Sequence, residues 1–295
     1  WKMRPACILV YDCIPLLSLR LFYRIIRRPK ILWYHNHDVA DPKYLRKWSI
    51  NWGGWKSESW IFPKLDIFSL PSVERTAFFP MERLKGAFFF LPNFPSLSVY
   101  APQRQQRSAP HDHFRILYQG SIGELHGLEE IIGLLPENIA GKTWSLVLKG
   151  FVDEAYFASL QHLAADKGVS DRLSYIGPTG YMDVVKNAMS CHVGIGIHKK
   201  DDIMNNTLGT ASNKIYEYAA AGMPVLVYDN THFREALAQR EWVLFTDTSA
   251  RSLREVFGII AVSYEALSKA AEHDFLTTYC FENYFSSVFN HLNKN

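Results

Sequence analysis

At 295 residues, 48% hydrophobic and 21% charged, the chain is too apolar for disorder and long enough for two cores. No apolar run reaches bilayer-spanning length, nothing at the start reads as a secretory signal, and Cys7, Cys13, Cys191 and Cys280 are scattered without a CxxC pair. This excludes a cysteine zinc site or disulfide framework and fits a reducing cytoplasm. The net charge of +3 conceals 17 Lys+Arg against 7 Asp+Glu in residues 1–110 and 15 against 22 thereafter, so a basic half is expected to face an anionic surface or acceptor.

In chain order, Cys7–Tyr11 reads as a buried strand and Pro15–Ile26 as a helix bearing Arg20 and Arg24, with Arg27 and Arg28 after it. Pro29 ends that helix, and Ile31–Tyr34 forms the next strand, followed by His35-Asn36-His37-Asp38. Tyr44–Phe62 is helical in outline, with an interruption expected at Gly53-Gly54. Asp66–Leu70 is a strand, Ser72 is expected to cap a helix towards Phe79, and Ala87–Leu91 is a strand closed by Pro92-Asn93. Six of the eight tryptophans lie within Trp1–Trp60 among Arg and Lys, a pattern that suits a membrane interface or sugar stacking as well as an aromatic core. His35 and His37 alternate along an extended chain and should face opposite ways, which argues against a shared metal.

Pro95, Pro102 and Pro110, with Gln, Ser and Arg between them, mark a linker placed at 101–113. Beyond it the alternation restarts with strand Phe114–Gln119, a helix from His126, strand Trp144–Lys149, helix Asp153–Lys167, strand Leu173–Ile176, helix Met182–Met189 and strand His192–Ile197. Strands alternating with helices imply parallel sheets covered on both faces. The division expected is 1–100, linker 101–113, 114–262, and helices over 263–295. The chain begins at Trp1 inside what soon reads as a strand, so the first domain is expected to be short or truncated.

The chain is organised around Ala211-Ser212-Asn213-Lys214-Ile215-Tyr216-Glu217-Tyr218-Ala219-Ala220-Ala221-Gly222-Met223-Pro224-Val225. Ser212 suits a helix N-cap, Gly222 suits the left-handed residue that ends a helix, and an apolar strand follows. The helix start offers free N–H groups and a positive dipole end to a phosphate, with Lys214 beside them. Glu217 is expected one turn down on another face, at a reach suited to a hydroxyl pair.

Ser212, Asn213, Lys214, Glu217, Gly222 and Pro224 together resemble the donor-site helix of family 4-like retaining glycosyltransferases with the GT-B fold. The resemblance implies an α/β chain of two Rossmann-like parallel-sheet domains, with final helices crossing back to the first. It implies transfer of a hexosyl group from a nucleotide sugar, with retention of configuration, to a cytoplasmic or membrane-surface acceptor. No metal, cofactor or nucleic acid is expected, and an anionic membrane face is an expected partner. By resemblance, Lys214 and Ser212-Asn213 hold the donor diphosphate, Glu217 the ribose, and His37 lies near the reacting centre.

Gly120, Ser121, His126 and Gly127 follow the first strand of the second domain as the family's phosphate loop does, although Ser121 and His126 stand where Arg and Lys are usual. Lys149, at the end of its strand, and Lys214 are the expected substitutes, and His126 is expected to gain a proton near pH 6.5 and strengthen the clamp. Thr179 and Tyr181 resemble the loop that cups the base; His198 ends the next strand as a second-rank candidate. The family's upstream Glu falls on Gly209, so sugar contacts are expected from Asn205-Asn206-Thr207. Two other readings remain: a sugar-nucleotide epimerase of the same fold, or a non-catalytic nucleotide-binding relative.

Overall fold

The computed structural model describes residues 5–107, 109–200 and 203–294. The chain divides into two compact units: Trp1–Asn93 with Asp202–Ala211 and Tyr284–Asn295, and Phe94–Asp201 with Ser212–Asn283.

The first unit begins with β1 (Cys7–Tyr11), α1 (Cys13–Phe22), β2 (Ile31–His35), α2 (Ile50–Ile61), β3 (Ile67–Leu70) and β4 (Ala87–Phe90). Its four strands pair in parallel in the order β1-β2-β3-β4. Leu16, Tyr34, Ile61, Phe62 and Phe68 are fully buried at its centre. The helix expected over Tyr44–Phe62 starts at Ile50, where the Ser49 hydroxyl accepts from the Trp52 N–H at 3.2 Å. Gly53-Gly54 does not interrupt it. A Cβ on Gly54 would lie 2.5 Å from the Cys13 carbonyl oxygen, so the glycine lets α1 and α2 approach closely. Ser72 caps no helix; its hydroxyl donates to the Glu74 carboxylate, and Glu74–Phe78 is a 3-10 turn.

The second unit opens with α3 (Leu97–Tyr100), whose Tyr100 is fully buried edge-on to Phe275. Then come β5 (His113–Gln119), α4 (Leu128–Leu134), β6 (Thr143–Lys149), α5 (Glu154–Asp166), β7 (Leu173–Tyr175), α6 (Tyr181–Met189) and β8 (Val193–Gly196). Two short helices, α7 (Ile203–Asn206) and α8 (Leu208–Ala211), belong to the first unit. The second unit resumes with α9 (Asn213–Ala220), β9 (Val225–Tyr228), α10 (Thr231–Leu237), β10 (Val243–Thr246) and α11 (Ala250–Thr277). From Tyr284 onward α12 (Phe281–Lys294) belongs to the first unit, where Tyr284 meets Phe90 and His291 meets Phe89 edge-on.

The second sheet is parallel throughout in the order β10-β9-β8-β5-β6-β7. Chain order therefore reverses between β5 and β8. Open α/β sheets leave a crevice beyond the strand C-termini at such a switch point.

Candidate functional site

The crevice beyond β5 and β8 is built from α9 and three strand ends. Ser212 is the N-cap as its sequence suggests, buried, with its hydroxyl accepting from the Ile215 N–H at 3.4 Å. That hydroxyl is directed into its own helix. Asn213, the first helical residue, is exposed, and Gly222 closes the unit at φ +69°.

Lys214 and Glu217 are three residues apart and both reach the end of β5, so they share a face and not separate ones. The Lys214 ammonium donates to the Tyr118 hydroxyl at 3.0 Å and lies 4.3 Å from the centre of that ring. It also lies over Gly120, where an added Cβ would come within 3.5 Å of Nζ and the backbone has φ +125°. One turn on, the Glu217 carboxylate accepts from the Gln119 side-chain amide, and the Gln119 N–H donates to the Tyr218 hydroxyl at 2.9 Å.

Burial governs the charges. It pulls Lys214 down to about 8 against the opposing pull of Glu217, and raises Glu217 to about 7 against Lys149, Lys214 and the Gln119 hydrogen bond. Desolvation penalises the charged form of each, and their mutual attraction recovers only part.

Lys149 ends β6, is 4% exposed, and its ammonium makes no hydrogen bond or ion pair with any described residue. Burial lowers its pKa, while Glu217 and then Asp183 hold it up. The turn after it fits against the turn after β5: Gly150 has φ +130°, and a Cβ there would stand 1.9 Å from the Gly120 carbonyl oxygen. Lateral bonds join these turns, from Gly120 N–H to the Lys149 carbonyl (2.9 Å), Ile122 N–H to that of Phe151 (2.8 Å), and Gly150 N–H to that of Gly177 (3.2 Å).

The histidine expectation is overturned. His126 sits 4.9 Å from both the Tyr118 and the His198 rings, with Nδ1 at 3.0 Å from the Ile197 carbonyl. Burial, then Lys214, pushes its pKa down to about 4, so it stays neutral through the range where an ordinary imidazole gains a proton. His198 is pushed further down by burial, Lys214 and His126, and its Nε2 is buried without a partner.

The other loop residues are less engaged. Ser121 is exposed, contributing only its carbonyl to the Tyr118 hydroxyl (2.7 Å), and Gly127 caps α4 at φ +74°. Thr179 is exposed, and its hydroxyl reaches only the Gly180 carbonyl at 3.4 Å. Tyr181, half exposed, lies near enough to Glu217 for that charge to help burial raise its phenol pKa.

Tyr118 and Gln119 complete this cluster without having stood out beforehand, and the second-rank candidate His198 joins it with its Nε2 unpartnered among the described residues. The available signal was their place at strand C-termini, where β5 and β8 lie side by side. Among the described residues no group of three or more His, Cys, Asp or Glu could hold a metal ion.

In the first unit His37 lies just past β2 and is fully tied. Its Nε2 meets the Asn93 amide at 2.7 Å, its Nδ1 meets Asp38 at 3.2 Å, and its N–H donates to Asp12 at 2.6 Å. The Arg75 guanidinium, buried, donates to the His37 carbonyl and, at 2.9 Å, to the Thr207 hydroxyl. Asn205-Asn206-Thr207, expected to contact sugar, groups with this unit. His35 is buried on Ser69 at 2.8 Å, with its pKa lowered to about 4 by burial and then by His37.

No protein-family model and no curated protein matches the sequence. Solved structures do match. Sucrose-phosphate synthase from Thermosynechococcus elongatus aligns at TM-score 0.65 and 15% identity, over 98% of this chain and 73% of that one. HepE of Anabaena, solved with UDP and glucose, aligns at TM-score 0.69 and 14% identity, over 97% and 78%. WaaG, a glycosyltransferase involved in lipopolysaccharide biosynthesis, aligns at TM-score 0.54 and 13% identity, over 99% and 100%. At such identities the likeness is one of architecture, and with the two parallel sheets it gives the fold: two Rossmann-like α/β domains of the GT-B type.

Proposed function

We propose that the chain is a nucleotide-sugar-dependent glycosyltransferase of the family 4 type, moving a hexosyl group with retention to a cytoplasmic or membrane-surface acceptor. One observation carries the reading. Lys214, Lys149 and Glu217 converge at the switch-point crevice, with Lys214 over a glycine turn and the Lys149 ammonium lacking a partner among the described residues. A diphosphate would give the two ammonium groups their missing counter-charge, and the Glu217 carboxylate would accept from a ribose hydroxyl pair. Stabilising the departing diphosphate needs preorganised cations and N–H dipoles more than an acid–base pair. The Anabaena structure bound to UDP supports this choice of ligand class by likeness of fold. The basic first unit supports an anionic acceptor surface.

A second reading, a nucleotide-binding relative without transfer activity, is favoured by the neutral His126 and the exposed Ser121 in the glycine loop. A panel of nucleoside diphosphates screened for thermal stabilisation, then nucleotide sugars followed for released nucleotide and for epimer, separates the readings. Saturating a site at about 100 Kd stabilises the native state by about 2.7 kcal/mol. Stabilisation with slow nucleotide release supports transfer; stabilisation with neither product leaves the binding module; no stabilisation by any member removes the nucleotide site.

A further inference from the structure

We infer that the segment from Lys43 to Lys56 is a docking surface for an anionic lipid bilayer. This deepens the membrane-surface half of the proposed function and does not depend on the nucleotide site. Three large side chains project here with little cover: Trp48 is 86% exposed, Tyr44 78% and Ile50 65%. Trp48 is also held at φ +67°, a conformation that a bulky residue adopts only against steric cost. A strained backbone that keeps an indole in water is unexplained by folding.

The surroundings specify what would cover it. Lys43, Arg46, Lys47 and Lys56 lie between Pro42 and Ser57, with no carboxylate among them. Of the two flanking acids, Asp41 caps the turn at the edge of the segment by accepting from the Lys43 N–H at 2.9 Å, and Glu58 is buried away from it on the Tyr34 hydroxyl at 2.8 Å, which leaves four cations against one accessible carboxylate. Trp48 leads to Trp52 at 5.2 Å, and the Lys56 ammonium lies 4.6 Å from the Trp55 ring, so indoles and cations interleave along the start of α2. Amphipathic rings settle at the level of lipid headgroups, and cations beside them gain from anionic ones. Of the arginines of the first helical stretch, Arg20 is engaged, bonding the Lys56 carbonyl at 3.4 Å and lying 5.7 Å from the Trp60 ring.

The test is co-sedimentation of the full chain with phosphatidylcholine vesicles and with vesicles also containing phosphatidylglycerol. Binding is expected only to the anionic vesicles, fading as salt rises from about 0.1 to about 1 M and the Debye length shrinks from about 10 to about 3 Å. Trp48→Gly should weaken binding roughly tenfold or more. Its melting temperature should hold or rise, because glycine accepts that backbone freely. Arg46→Ala with Lys47→Ala should weaken binding by a similar factor, since each cation near the surface contributes about fivefold. Stabilisation by UDP should be unchanged in every variant, so failure here and failure of the nucleotide site are read separately. Equal binding to neutral vesicles, no binding to either, or wild-type binding by Trp48→Gly overturns the proposal. So does a dimer of the free chain that Trp48→Gly dissociates while vesicles bind nothing, since the face would then belong to a second copy.

Discussion

The polar groups at the ends of the two sheets are arranged in opposite ways. Beyond the first sheet His37 has a partner on each ring nitrogen and on its backbone N–H and carbonyl. Beyond the second, among the described residues, the Lys149 ammonium has none, the His198 Nε2 and Gln119 Oε1 are buried without partners, and Lys214 and Glu217 are held at pKa values unfavourable to their charges. Unpaired buried polar groups are costly and survive where something else repays them. The first arrangement is a finished structural network, whereas the second leaves its polar groups uncompensated among the described residues, which is what the proposed diphosphate would supply.

The contrast can be broken from either side. The largest effect is expected at Arg75→Met, which removes a buried guanidinium and leaves the His37 carbonyl and Thr207 hydroxyl without their donor. Stability should fall by about 3 kcal/mol, measured by urea unfolding. Lys214→Met should do the reverse, leaving stability near wild type because a desolvated charge is lost. UDP should then bind more weakly by about 1.5–3 kcal/mol while uridine is unaffected, as read by calorimetry.

Next comes Glu217. Its folded pKa of about 7 lies above the ordinary carboxyl value, so between those two pH values the native state holds the extra proton. Stability is therefore fullest below the ordinary value and falls as pH rises through about 7. Glu217→Gln should remove that fall and exceed the wild type by about 2 kcal/mol at pH 8, less whatever solvent screening subtracts. UDP affinity in the wild type should peak where Glu217 is ionised and Lys214 still protonated, between about 7 and about 8. The smallest effect is at His126→Gln, which should shift UDP affinity by less than about 0.5 kcal/mol, equally at pH 5.5 and 7.5, since a residue neutral throughout carries no titration into binding. A growing deficit towards acid pH would restore His126 as a cation.

Much of the second unit was legible because its signals are local. Ser212, Gly222 and the apolar strand after them sit within one short stretch and announce cap, stop and sheet. The partners of that helix were not legible. Tyr118 and Gln119 are 96 and 98 residues from Lys214 and Glu217, and only the strand order brings them together. The placement of Glu217 and the protonation of His126 failed for one reason: side-chain direction and burial are properties of the packed crevice, not of spacing. Gly53-Gly54 misled because a glycine pair reads equally as a break or as a close approach, and the deciding residue, Cys13, lies on another helix.

The three turns that follow β5, β6 and β7 are joined sideways by main-chain hydrogen bonds, with the Gly120 carbonyl nested where Gly150 has no side chain. A floor laced in this way is expected to exchange the amide hydrogens of Gly120, Ile122 and Gly150 more slowly than unbonded turns do. For a ligand of the proposed kind, the side chains expected to adjust are those above the floor that no described residue holds, the Lys149 ammonium and the His198 ring nitrogen. For anyone redesigning specificity, those side chains are the adjustable parts, and lengthening any one of the three turns would unpick its neighbours with it.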